Sequence, residues 1–248
     1  MPASELQARY EDVLARIAAA EQAAGREPDS VTLVAVTKTW PAEAVLAAYA
    51  VGMRHFGENR PEELAPKREA VEQALGKESG IVWHLIGPLQ SRKTGLAAAH
   101  ADVFHALDRL KIARRLSRDL GETGRELPVL LEINVSGETS KAGFAAQQWE
   151  DDPGQQATLR AAVATISELP RIQLQGLMTM APWEAPAGEI RRVFQRTRKL
   201  AQWLQTESPH LGLDTLSMGM TDDFEVAIAE GATHVRIGRA IFGPRKTH

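Results

Sequence analysis

The 248-residue sequence has no cysteine, only two tyrosines and no long apolar run. The absence of cysteine excludes disulfides, thiolate metal sites and cysteine nucleophiles. Since the N-terminus lacks the apolar segment of a signal peptide and no stretch could span a bilayer, we expect a cytoplasmic protein without membrane contacts. The formal net charge of −3 gives no reason to expect a nucleic-acid partner. The seven histidines show no metal-ligand spacing, which argues against a metal site.

Short β-branched segments alternate with helical patterns along almost the whole chain. The sequence predicts eight strands, at residues 31–38, 55–59, 82–87, 103–108, 128–135, 174–180, 215–220 and 234–238. Because parallel strands must be joined by crossovers, the alternation predicts an α/β fold with a parallel sheet, and eight units fit a (β/α)8 TIM barrel. An open doubly wound sheet is the alternative.

No linker rich in Ser, Pro or Gly divides the chain. We therefore expect residues 1–248 to form a single barrel domain, with an extra N-terminal helix within residues 1–28 and the barrel in residues 29–248. Helical periodicity places that first helix at residues 4–24. Six further helical stretches are predicted, at 41–51, 62–75, 109–120, 155–168, 188–206 and 222–230.

Lys38 is the most informative single position. In a barrel, functional residues lie at the C-terminal ends of the strands, and Lys38 closes the apolar strand VTLVAVTK. Side-chain alternation puts it on the same face as Val34 and Val36. If that face points into the barrel, partial desolvation at the mouth favours the neutral amine that attacks a carbonyl. The other interpretation is a lysine that extends its charge into solvent at a strand end.

A second cluster follows the last two predicted strands, in LSMGM and VRIGR. Loops at this place in barrels often form a phosphate site. The Ser217 hydroxyl and the backbone N–H groups of Gly219, Gly238 and Arg239 are the candidate donors. The alternative is that both glycines only make tight turns.

Two further side chains are expected at the barrel mouth. Arg236 alternates with apolar neighbours, so it should face inward with His234, and a buried guanidinium needs an acceptor. Asn59 is suited to hydrogen-bond a ligand oxygen, or it caps the helix that begins near Pro61. Lys141, just after the fifth predicted strand, could add a charge near the mouth.

Seven ordered motifs cover almost the entire chain: VAVTK, HFGEN, WHLIGPLQSRK, EINVSGETSKAGF, GLMTM, LSMGMTDDFEVAI and THVRIGRAIFG. Together they resemble the pyridoxal phosphate homeostasis proteins, also called the YggS/PROSC family. That family has a single barrel similar to the N-terminal domain of alanine racemase, the fold type III of pyridoxal phosphate (PLP) proteins. The resemblance implies PLP as cofactor, held as an internal aldimine on Lys38.

The resemblance also implies a set of cofactor contacts, namely Lys38, Asn59, Ser217, Met218, Gly219, Arg236, Gly238 and Arg239. It places Asn59 beside the 3-oxygen and Arg236 beside the pyridine nitrogen. Met218 would pack close to the ring, and the remaining residues would hold the phosphate. Position 239 is often Thr or Ser in the family. Arg239 therefore removes a hydroxyl donor and leaves the backbone N–H with an added cation.

These residues favour a carrier over an enzyme. An arginine at the pyridine nitrogen keeps it unprotonated and gives less assistance to carbanion chemistry. Alanine racemase uses a tyrosine from a second domain as its other acid/base, and here Tyr10 and Tyr49 both lie in predicted helices. We therefore expect a monomeric PLP-binding protein that buffers PLP for vitamin B6 homeostasis and delivers it to apo-enzymes, without robust catalysis. A PLP-dependent amino-acid racemase and a phosphate-binding barrel without an aldimine are the alternatives.

Overall fold

The computed structural model describes residues 2–139 and 141–244, and within them strands and helices alternate. The strands are β1 (Thr32–Val36), β2 (His55–Glu58), β3 (Val82–Leu85), β4 (Val103–Leu107), β5 (Leu127–Asn134), β6 (Phe144–Ala145), β7 (Ile172–Met178), β8 (Thr215–Ser217) and β9 (His234–Ile237). The helices are α1 (Ala3–Ala23), α2 (Ala42–Ala50), α3 (Pro61–Leu75), α4 (Thr94–His100), α5 (Leu110–Thr123), α6 (Pro153–Ser167), α7 (Ala187–Glu207), α8 (Phe224–Ala229) and α9 (Arg239–Phe242).

Eight parallel strands close into a barrel in the order β1, β2, β3, β4, β5, β7, β8, β9. The β1–β9 pairing sets Val34 opposite Arg236, and the β4–β5 pairing completes the ring. This confirms the predicted (β/α)8 barrel and excludes the open sheet. The additional strand β6 pairs only with the C-terminal end of β5, at Ile133 and Asn134.

Strand β5 is flanked by irregular pairing on both sides. Val129 of β5 pairs with Phe104 of β4, and Leu131 pairs with Leu107. Between these two pairs, β4 advances by three residues while β5 advances by two. On the other side, the register with β7 shifts between Val129 and Leu130. Each neighbour therefore carries one residue more than β5 over the same length, which is the definition of a β-bulge.

Helix α1 is tied to the barrel through its C-terminal end. Its buried face carries Leu6, Val13 and Ile17 at helical spacing. The buried Glu21 carboxylate accepts hydrogen bonds from Val31 N (2.8 Å) and the Ser30 hydroxyl (3.0 Å), just before β1 begins. Among the described residues, no helix is both long and apolar enough to cross a membrane.

The predicted elements all occur, and the differences lie at short segments. The seven-residue α4 and the four-residue α9 were not predicted, because neither is long enough to show a helical period. Strand β8 ends at Ser217 rather than at residue 220. The chain turns there, since Gly219 has φ +95° and Met220 N donates to Asp223 Oδ1 at 2.5 Å.

Candidate functional site

A cavity of about 550 Å³ opens at the C-terminal ends of the barrel strands. Five of the eight predicted cofactor contacts line it, namely Lys38, Asn59, Arg236, Gly238 and Arg239. They come from both ends of the barrel sequence, since Lys38 and Arg239 are 201 positions apart, and closure of the barrel brings them to one place. The cavity therefore lies where the barrel rule predicts a functional site.

Lys38 reaches the cavity from inside the barrel, as strand alternation predicts, because Val36 and Lys38 both line it. The neighbouring Thr37 points to the other side and is fully buried. Its hydroxyl donates to Glu58 Oε1 at 2.6 Å, and Lys67 Nζ donates both to that oxygen at 2.5 Å and to the Thr37 carbonyl at 2.9 Å. This buried cluster fixes the backbone on the N-terminal side of Lys38.

The other side of Lys38 is held in an uncommon conformation. Thr39 has φ +67°, in the left-handed region that a β-branched residue rarely adopts. Its backbone N donates to Glu63 Oε2 at 3.3 Å, and Trp40 N donates to the Thr37 carbonyl at 3.0 Å. Such local strain persists only where surrounding contacts enforce it, and it is typical of functional sites.

Arg236 faces the interior as predicted and is 5% exposed. Nη1 donates to the Ser217 hydroxyl at 2.6 Å, and Nη2 donates to the Thr179 carbonyl at 2.9 Å. Burial lowers the pKa of the guanidinium to about 10, while Asp223 and Glu132 oppose the shift. The side chain therefore stays charged at neutral pH and is anchored by neutral acceptors.

Three predicted phosphate or ring contacts lie below the cavity lining. The Ser217 hydroxyl is buried between Arg236 and His105, and the Met218 side chain is part of the apolar core. At Gly219 an added Cβ would lie 2.7 Å from the Cβ of Ala227 in α8, so this glycine is required by packing. Contacts of these three residues with a cofactor stay a prediction.

The remaining predicted contacts surround the open side of the cavity. Asn59 does not cap α3, because the N-cap residue is Arg60 and no side chain caps that helix, so the capping interpretation is wrong. At Gly238 an added Cβ would approach the Val36 carbonyl to 3.3 Å. Arg239 is half exposed, forms an ion pair with Asp222 and lies 5.2 Å from the ring centroid of Trp183.

Lys141 lies beside the cavity rim. Its ammonium donates to the Met180 carbonyl at 3.1 Å and forms an ion pair with Glu138. Met180 lines the cavity, so the charge sits next to the mouth without lining it.

A chain of histidines crosses the barrel interior below the cavity. His55 Nδ1 lies 2.9 Å from His84 Nε2, and His84 Nδ1 lies 2.8 Å from His105 Nε2. His105 Nδ1 is 2.8 Å from the Ser217 hydroxyl, which connects the chain to Arg236. Burial holds the pKa of His84 and His105 well below the usual value.

Neutral imidazoles satisfy each link of this chain. A guanidinium only donates, so the Ser217 hydroxyl accepts from Arg236 and can donate to His105. Each neutral imidazole then accepts at one ring nitrogen and donates at the other. No group of three or more potential ligands that could hold a metal ion occurs in residues 2–139 and 141–244. The hydrogen bonds among His55, His84 and His105 therefore account for their place in the interior without a metal ion.

Glu132 is the functional candidate that the sequence analysis missed. It lines the cavity, is 3% exposed, and its Oε2 atom is enclosed without a hydrogen-bond partner among the described residues. Burial, together with repulsion from Asp108, raises the pKa of its carboxyl to about 7, although Arg236 opposes the shift. An acidic residue in the middle of the apolar strand PVLLEINV was the available signal.

Comparison with known proteins defines the class of this barrel. The family model described as alanine racemase, N-terminal domain, matches residues 11–246. A Pseudomonas aeruginosa protein named pyridoxal phosphate homeostasis protein is 45% identical over 238 residues, which cover 94% of this chain and 93% of the relative. The chain therefore belongs to the alanine racemase N-terminal domain family and, within it, to the pyridoxal phosphate homeostasis proteins, which confirms the resemblance.

Two solved structures extend the comparison. PipY from Synechococcus elongatus PCC7942, solved with PLP bound, is 39% identical with a TM-score of 0.75, and the match covers 92% of this chain and 100% of PipY. Alanine racemase from Clostridium difficile 630 is 12% identical with a TM-score of 0.69, and the match covers 98% of this chain and 58% of the racemase. The second likeness shows a shared fold alone.

Proposed function

We propose that this protein binds pyridoxal 5′-phosphate in the cavity and acts as a carrier that buffers the cofactor and releases it to other proteins. The observation that carries the proposal is Lys38, an amine-bearing side chain in a cavity that also contains two arginines. The relatives named for PLP homeostasis and the PLP-bound PipY support the same cofactor.

The residues present fit the cofactor. Lys38 offers a primary amine, Arg236 and Arg239 offer positive charge for an anionic ligand, and Asn59 offers an amide donor. The enclosed, unpartnered Oε2 atom of Glu132 is a second sign that the cavity is built for a polar ligand. When bound, PLP supplies an aldehyde that condenses reversibly with a primary amine.

Each residue has a proposed task. Lys38 holds the aldehyde end through its amine, while the buried Thr37 fixes the direction in which Lys38 leaves β1. Arg236 presents a fixed positive charge at the cavity floor, because two neutral acceptors orient it. The backbone N–H groups of Gly238 and Arg239 and the Arg239 side chain are the proposed phosphate contacts.

Covalent capture tests the cofactor and its position. Borohydride reduction of the PLP-loaded protein, followed by peptide mass spectrometry, should place a pyridoxyl adduct on Lys38. Lys38→Ala should lose the adduct, whereas Lys111→Ala, at an exposed position on α5, should retain it. A protein that binds PLP without an adduct on Lys38 would contradict the proposed attachment and favour a phosphate-binding barrel.

A second experiment separates the carrier from a racemase. Neither tyrosine lies in the cavity, since Tyr10 is in α1 and Tyr49 is in α2. We therefore expect no enzymatic exchange of α-protons when the PLP-loaded protein is incubated with L-amino acids in deuterated water. Rapid exchange that disappears in Lys38→Ala would establish the racemase alternative.

We also propose that residues 1–248 fold as one barrel domain, with residues 1–28 as its N-terminal helix. The hydrogen bonds from Val31 and Ser30 to Glu21 support this, because they join the helix to the first strand. Removal of residues 1–28 should lower the unfolding midpoint in urea, and an unchanged midpoint would show that the helix is an independent segment.

A further inference from the structure

We propose that Glu132 is a ligand-binding residue of the cavity, whose carboxyl group in its protonated form donates a hydrogen bond to an acceptor atom of the bound cofactor. The inference rests on the proposed function and adds a residue to it. Glu132 is almost completely buried, lines the cavity and leaves Oε2 without a partner among the described residues.

The surroundings of Glu132 explain why its Oε2 atom lacks a partner within the part of the chain that the structure describes. Arg236 on β9 is the nearby cation, but its two terminal nitrogens donate to Ser217 and Thr179. Asp108, at the end of β4, brings a second acid, and its Oδ1 atom is also enclosed without a partner, while Oδ2 contacts Arg109. Glu132 therefore meets a like charge on one side and, on the other, a guanidinium whose two side-chain hydrogen bonds go to other residues.

The charges across the cavity complete the surroundings. Lys38, Arg239 and Asp222 are the other charged groups of the lining, and Arg239 is paired with Asp222. Asp223 lies behind the wall, where its carboxylate accepts from Met220 N and acts on Arg236.

This environment favours the neutral carboxyl. An ionised carboxylate that is buried without hydrogen bonds costs several kcal/mol, and proteins relieve that cost by keeping the proton. The pKa of Glu132 is raised to about 7 by burial and by Asp108. A neutral carboxyl carries an O–H that needs an acceptor. Oε2 has no hydrogen-bond partner among the described residues, so its acceptor comes from the molecule in the cavity.

A bound anion strengthens this preference. The phosphate and the ring oxygen of the cofactor bring negative charge into the cavity, which raises the pKa of Glu132 further. Binding at neutral pH therefore takes up protons, and affinity falls as the pH rises through the pKa of the free protein. If binding raises that pKa by about 1, the affinity falls roughly fivefold between pH 6 and pH 8.

The experiment uses pyridoxine 5′-phosphate, which has an alcohol in place of the aldehyde and cannot condense with Lys38. Calorimetry at pH 7 in two buffers with different heats of ionisation measures the protons taken up on binding. The wild type should take up more protons than Glu132→Gln, and its affinity should decline roughly fivefold relative to that variant from pH 6 to pH 8. Glu43→Gln, which removes an exposed charge on α2, should behave as the wild type.

A second variant tests the hydrogen bond itself. Glu132→Leu offers no donor, so it should bind more weakly than Glu132→Gln at every pH, with circular dichroism confirming that both are folded. Equal affinity of these two variants, or equal proton uptake by the wild type and Glu132→Gln, would overturn the assignment of Glu132. Absence of binding of both pyridoxine 5′-phosphate and PLP to the wild type would instead overturn the proposed function.

Discussion

Below the cavity, the polar side chains of the barrel interior are bonded to one another, whereas Oε2 of the carboxyl on the cavity wall has no hydrogen-bond partner among the described residues. His55, His84 and His105 form a continuous chain with links of 2.8–2.9 Å. Glu132 has an enclosed oxygen atom without such a link. An imidazole both donates and accepts, so histidines satisfy each other, whereas two ionised carboxylates only accept and cannot. The first region is complete without a ligand, and the second is not.

The largest effect is expected where a buried pair outside the barrel wall is broken. Lys67→Met removes the cation that binds Glu58 and the Thr37 carbonyl, leaving a buried carboxylate unpaired. Loss of one partner of a buried ion pair costs about 3–5 kcal/mol of unfolding free energy. Urea denaturation measures the loss. Lys67→Met combined with Glu58→Gln should recover part of it, and no recovery would mean that packing of the lysine chain is responsible.

Acid should destabilise the histidine region. Burial lowers the pKa of the four interior histidines, which are His55, His84, His105 and His234. The pKa of His234 falls to about 4. The unfolded chain binds protons near pH 6.5 and the folded protein does not, so the unfolding free energy declines as the pH falls from about 6.5 towards 4. His234 alone accounts for roughly 3 kcal/mol.

Denaturation curves at several pH values measure this decline. His234→Asn should flatten it, while replacement of the exposed His210 by Asn should leave the wild-type profile. A decline of equal size in His234→Asn would show that groups other than this histidine cause the acid sensitivity.

Glu132 should have the opposite effect on the pH dependence of stability, because its contribution is lost as the pH rises. Its folded pKa of about 7 lies above the usual value of 4.5, so the stability that its proton provides is present below pH 4.5 and is lost as the pH rises through 7. In the absence of ligand, the free energy of unfolding of Glu132→Gln relative to that of the wild type should rise by up to roughly 3 kcal/mol from pH 4.5 to pH 8. A constant difference between the two proteins over this range would contradict the raised pKa.

The smallest effect on stability is expected at the exposed rim. Arg239→Ala removes the ion pair with Asp222 and the contact with Trp183, both largely in solvent. Surface ion pairs contribute about 0–1 kcal/mol, so the unfolding midpoint should hardly move. Retention of PLP on a desalting column should nevertheless fall, because a cation of the cavity is lost. Unchanged retention would indicate that the backbone alone holds the phosphate.

Strand alternation predicted the parts of the site that depend on direction alone. It placed Lys38 on the inner face with Val36 and placed Arg236 on the inner face with His234, and both placements are confirmed. The barrel itself followed from eight alternating units. These features depend on local periodicity, which a sequence displays directly.

The sequence did not show which inward-facing residues contact each other across the barrel. The contact of Ser217 with the phosphate stays a prediction, but nothing in the sequence indicated that its hydroxyl contacts Arg236 and His105, which lie on two other strands. The histidine chain was also missed, although four predicted strands each contain one histidine. Alternation tells which way a side chain points, but shear between strands decides which inward residues meet.

The bulges beside β5 have a consequence for how this barrel can change over evolution. Residues on β5 alternate between the cavity side and the outer side, so deletion of one residue before Glu132 would move Ile133 into its place and turn the acid outward. The extra residue in β4 and in β7 shows that this part of the ring already accommodates unequal strand lengths. A barrel of this kind could therefore exchange a titratable cavity wall for an apolar one by a change of length, without substitution of any remaining residue in the strand.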